Sequence, residues 1–105
     1  MQFRGGMSEL LRQAERYRRK IDERKAQLKD EEVTFGTAGD KVKVVVTCEG
    51  KLSRIDVDPD FLKEEGLELV LDSIVAAANG ALDTADQRVE SEITKITGGI
   101  KIPGP

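Results

Sequence analysis

Histidine and tryptophan are absent from the 105 residues, and cysteine occurs once. Without histidine the chain lacks the side chain most often used as a general base near neutral pH and as a neutral metal ligand. A single cysteine, Cys48, excludes an internal disulfide and points to a reducing compartment. It closes an apolar strand pattern, where a buried structural thiol is expected rather than a nucleophile. Aromatics number three Phe and one Tyr, so only a thin core can form, and such chains often gain stability from a partner subunit. No apolar run approaches the roughly 20 residues that span a bilayer. The first residues carry no apolar stretch of the secretory kind, so a soluble cytoplasmic protein is expected.

The remaining chemical constellations fail on spacing. Asp56, Asp58 and Asp60 alternate as in a calcium loop, but Pro59 intervenes and no glycine or glutamate follows at loop spacing. Capping of a helix after a strand explains these carboxylates better. The pairs Gly5-Gly6 and Gly98-Gly99 do not sit between a strand and a Lys-Ser/Thr helix start, so neither reads as a phosphate loop. No enzyme, metal or cofactor is expected.

What is abundant is charge, 35% of residues, with a net value of −3. Its distribution is uneven. Residues 1–32 carry nine Lys/Arg against seven Asp/Glu, whereas residues 61–105 carry four against eight. The basic peak runs from Arg12 to Lys25, with seven cations against Glu15, Asp22 and Glu23. Such asymmetry favours an anionic partner.

Hydrophobic periodicity divides the chain. From Ser8, a candidate N-cap, to about Glu31, apolar residues recur at spacings of three and four: Met7, Leu10, Ala14, Tyr17, Ile21 and Leu28. Arg24 stands at the one missing place, where it must snorkel out or pair with an acid of a facing helix. The period then drops to two. Val33 and Phe35, then Val42, Val44, Val46 and Cys48, then Ile55 and Val57 mark three strands of an antiparallel meander with tight turns at 36–40 and 49–51. Asp58-Pro59 opens a helical turn, and after Gly66 a second long helix runs to about Ile96. Its middle, Ala76-Ala77-Ala78-Asn79-Gly80-Ala81, is all small residues, fitted either to lying flat on the sheet or to contact with another subunit. The expectation is one α+β domain over residues 1–105, with flexible tails at 1–7 and 98–105. Its packing set is Val42, Val44, Val46, Ile55, Val57, Ala77, Ala78 and Ala81.

Gly5-Gly6-Met7 with Leu11 and Gln13-Ala14, Val42-Lys43-Val44 leading through Glu49-Gly50 to Ile55-Asp56-Val57-Asp58-Pro59, Val75 to Asn79, and Thr97-Gly98-Gly99-Ile100 with Pro103-Gly104 appear in this order. In that order and spacing the chain resembles the YbaB/EbfC family of bacterial nucleoid-associated proteins over nearly its whole length. The resemblance implies a tweezer-like homodimer that binds double-stranded DNA, associates with the nucleoid, can affect gene expression and catalyses nothing.

The residues themselves suggest where DNA would lie. On a helical heptad Arg12 and Arg19 fall opposite the apolar stripe with Arg16 beside them, and Arg18, Lys20 and Lys25 flank it. Arg24, Arg88 and Lys95 complete the candidate set. Cations along one helix meet successive phosphates and read no base edges, so low sequence specificity is expected. The alternative at this level is a protein-interaction module whose arginines are a solvated face, partly paired at i,i+4 as in Glu15–Arg19, with only incidental DNA affinity.

Overall fold

The computed structural model describes residues 3–99, and side chains from residue 6 onward. The expected tail from Ile100 to Pro105, with Lys101, lies outside them. Helix α1 spans Phe3–Leu28, strands β1 (Glu32–Thr37), β2 (Val42–Thr47) and β3 (Leu52–Val57) follow, and the chain ends with α2 (Pro59–Glu65) and α3 (Leu67–Thr97). This is the α+β order that the change of period predicts. Two boundaries of α1 differ from expectation. The helix begins at Phe3, which places Ser8 inside it rather than at its cap, and it stops at Leu28.

The sheet has the order β1-β2-β3, antiparallel throughout. Val42, Val44 and Val46 alternate onto its inner face and are fully buried. Their β1 partners are Thr37, Phe35 and Val33. Their β3 partners are Val57, Ile55 and Leu52, brought into line by a bulge opposite Val45/Val46. Asp58 caps α2 by accepting hydrogen bonds from the amides of Asp60 at 2.8 Å and Phe61 at 3.4 Å, with Pro59 at the first helical position. The Asp60 amide contributes most to holding the Asp58 carboxyl below the usual range.

Helix α3 covers the inner face with Ala77, Ala81 and Ala85, one turn apart and buried against the three valines. Small side chains let the helix axis come close to the sheet. Gly80 carries this furthest: a Cβ there would stand 2.4 Å from the ring of Phe35. The small-residue stretch therefore serves helix-on-sheet contact at this point. Gly80→Ala is expected to lower stability by about 1 kcal/mol, because overpacking of about 1–3 kcal/mol exceeds the roughly 1 kcal/mol gain in helix propensity. Phe35→Ala should make the same glycine replacement neutral or stabilising, which chemical denaturation of the two singles and the double variant would show.

Ile55 departs from its expected buried place. Helix α3 lies over β1 and β2 and barely reaches β3, so Ile55 is 41% exposed and Leu52 is exposed beside it. Gly80 and the Ser73 carbonyl, which accepts from the Thr37 hydroxyl at 2.9 Å, turn one flank of α3 toward β1. At 100° per residue Leu71, Val75, Ala78 and Leu82 fall on the opposite flank, toward β3. Of these, Leu71, Val75 and Leu82 are exposed and Ala78 is half-buried. An uncovered apolar face thus runs along α3 and the inner side of β3.

Candidate nucleic-acid interface

The molecule is drawn out, 73 Å long and about 20 Å across, because α1 and the end of α3 leave the sheet together as an arm. Glu31 pairs with Arg88 and Arg24 with Glu92, which makes the two helices antiparallel. Continuing that pairing, Thr97 lies level with about residue 19, so the earlier part of α1 extends past the end of α3. Burial agrees: Leu28 is buried, Arg24, Ile21, Tyr17 and Ala14 are half-buried, and residues 6–13 are all exposed. The apolar stripe is bare there, at Met7, Leu10 and Leu11.

The nine cations singled out from sequence divide into two groups. Arg24, Arg88 and Lys95 converge on Glu92, whose side chain is 8% exposed. Arg24 donates from Nε to Glu92 Oε1 at 3.0 Å and also from Nη2 to the same oxygen. Lys95 Nζ stands 2.7 Å and Arg88 Nη1 3.2 Å from Oε2. These last two contacts are close but less well aligned than those of Arg24. Arg88 also donates from Nε to Glu31 at 2.8 Å. Arg24 thus does pair with an acid of the facing helix. Lys95 foremost, then Arg24, hold the Glu92 carboxyl down to about 2 against the opposing effect of burial. A depressed carboxyl stabilises the fold above its ordinary range near 4.5 and ceases to do so as pH falls toward 2.

The second group lies outside this cluster. Among the described residues Arg16, Arg19, Lys20 and Lys25 have no ion-pair or hydrogen-bond partner, and Arg12 has only Glu9, 3.7 Å away with both side chains largely exposed. Arg18 is exposed but engaged. Arg12, Arg16 and Arg19 occupy the side of α1 opposite the half-buried stripe, within about 60° of one another at 100° per residue. The two glutamines of α1 are tied up locally: Gln13 donates to the Tyr17 hydroxyl at 3.5 Å, and Gln27 accepts from Arg24 at 3.0 Å.

Cys48 lies just past β2 and is half-buried, not enclosed. It lines a cleft of about 490 Å³ with Lys25, Lys29, Asp86 and Ile93 among its walls. Burial first, and Glu31 second, push its thiol up, so it stays protonated. Among the described residues no group of His, Cys, Asp or Glu is arranged to hold a metal, and no helix is long and apolar enough to cross a membrane.

The model of the YbaB/EbfC DNA-binding family matches residues 3–100, which takes in the arm, the sheet and both later helices. The chain belongs to the YbaB/EbfC DNA-binding family. Among its YbaB/EbfC relatives, a nucleoid-associated protein of Acetivibrio thermocellus is 36% identical over 97% of this chain and 91% of its own length. One from Myxococcus xanthus is 36% identical over 90% of each chain, and one from Clostridium kluyveri is 30% identical over 95% of this chain and 88% of its own. The crystal structure of an uncharacterized Helicobacter pylori protein has the same fold, with a TM-score of 0.59 at 17% identity, covering 71% of this chain and 87% of that one.

Proposed function

We propose that the protein is a nucleoid-associated homodimer that binds duplex DNA with low sequence specificity through the outward face of α1, without turnover. The observation that carries this reading is the division of the cations. Although the chain as a whole is acidic, Arg12, Arg16, Arg19 and Lys20 stand unneutralised or nearly so on an arm that reaches away from the acidic body. Arg18 and Lys25 lie beside the half-buried stripe instead. Arg24, Arg88 and Lys95 are consumed by Glu92 and contribute through the arm's shape. With the α1 glutamines engaged, phosphate contact dominates, and such contacts position a protein without reading sequence. Membership of a DNA-binding family and the nucleoid-associated names of its relatives support the same conclusion.

The dimer contact in this reading is the uncovered face of Leu52, Ile55, Leu71, Val75 and Leu82. An apolar surface of that extent beside so thin a core is stabilised when a second copy covers it. Two bodies joined there present two arms.

Duplexes of unrelated sequence should bind with similar affinity, measured by fluorescence anisotropy across a salt series. Four cations on each of two arms predict a log–log salt slope of about −7. A flat salt dependence, or no binding at low salt, would favour the protein-interaction module instead.

A further inference from the structure

Glu92 is the one charged side chain among the described residues that is buried, 7% exposed, although it sits on a slender arm. Its partners come from both helices of that arm. Arg24 of α1 places two nitrogens of its guanidinium on Oε1, while Arg88 and Lys95 of α3 flank Oε2. The carboxylate is therefore gripped from its own helix and cannot turn freely, and Arg24 meets an acceptor of fixed direction.

The base of α1 is anchored separately. The turn after Leu28 is hydrogen-bonded to the β2–β3 turn, with the Cys48 amide donating to Glu31 O at 2.8 Å and the Glu49 amide to Lys29 O at 3.2 Å. A rod pinned only at its base can swing. Ile21, Tyr17 and Ala14 are half-buried farther out on the same side of α1, and apolar contact has no preferred direction. A planar guanidinium held by a fixed carboxylate does have one.

We propose that Glu92 and Arg24 are positioning residues that set the angle of the α1 arm, and with it the placement of the free cations against DNA. From Arg24 to Arg12, the outermost of those cations, is about 18 Å at 1.5 Å per residue. A swing of about 10° there moves Arg12 by about 3 Å, close to the 3.4 Å that separates nucleotides along one strand. Small losses of angular control thus take the arm out of step with the phosphates. This rests on the reading of α1 as the DNA-contacting element.

The test is Glu92→Gln, because charge and position predict opposite outcomes. The change removes an acid and releases three cations, so electrostatics alone would tighten DNA binding. Loss of angular control weakens it, with Kd expected to rise at least threefold. Asp83→Asn makes the same charge change on an exposed part of α3 and should not weaken binding. Arm direction is read without DNA, by pulsed electron paramagnetic resonance between spin labels at Ser8→Cys and Thr34→Cys in a Cys48→Ser background, diluted with unlabelled chain. The distance distribution should be narrow in the parent and at least twice as broad in Glu92→Gln. Should Glu92→Gln fail to fold, Arg24→Gln leaves Glu92 paired with Arg88 and Lys95 and is expected to broaden the distances equally. Unchanged distances, or broadened distances with DNA affinity kept or increased, overturn the proposal. If no version binds DNA, the binding reading fails, while the distances still decide whether Glu92 sets the arm.

Discussion

Replacing Arg12, Arg16 and Arg19 together with glutamate should abolish the complex with duplex DNA at physiological salt while leaving the folded dimer intact. The substitution reverses three charges per chain on the face of α1 that carries Arg12, Arg16, Arg19 and Lys20. Losing six of eight phosphate contacts in a dimer, and adding repulsion, predicts more than a thousandfold loss of affinity, with the salt slope falling from about −7 to about −2 or less. Little of the fold is at risk. Arg16 and Arg19 have no partner to lose among the described residues, and the exposed Arg12–Glu9 pair is worth at most about 1 kcal/mol. Glutamate and arginine are equally good helix formers. Gel shift or anisotropy with circular dichroism as a control decides the matter: undiminished binding by the triple variant would remove α1 as the contact surface.

The second large effect is expected at the uncovered face. Ile55→Glu combined with Val75→Glu places two carboxylates where the partner copy is proposed to sit. Both positions are already exposed in the single chain, at 41% and 60%, so each subunit should keep its helix and strand content. Sedimentation should show the dimer replaced by monomer. DNA affinity should fall about a hundredfold, because the second arm no longer benefits from being tethered to the first. A double variant that remains dimeric would place the subunit contact elsewhere.

Much of this architecture is legible in the residues. The switch from a period of three and four to a period of two marks the passage from α1 to the sheet. Asp58-Pro59 announces its own helix start, because cap and first-position proline act within a few residues. Arg24, an interruption in an apolar stripe, signals a buried partner even though that partner is 68 residues away. What local pattern does not carry is long-range. That Arg24 is spent depends on Glu92 meeting it across the arm, as Glu31 meets Arg88, whereas Lys95 and Arg88 also reach Glu92 one turn away on α3. Ile55 alternates inward like any core residue, and only the path of α3 over β1 and β2 leaves it bare. Gly80 reads as a weak point in a helix until Phe35 is placed against it. The start of α1 at Phe3 is hidden by Gly5-Gly6, a pair that reads more readily as a loop than as a first helical turn.

Residues 6–13 of α1 are all exposed, and charges along this part of the helix oppose it. Arg12, Arg16 and Lys20 follow one another at four-residue spacing, each pair repelling by a few tenths of a kcal/mol along the helix axis. Any polyanion that neutralises them removes that repulsion. Helix stiffness and ligand affinity are therefore thermodynamically linked in this segment. The arm is at its softest when empty and gains helical order from the very phosphates it holds.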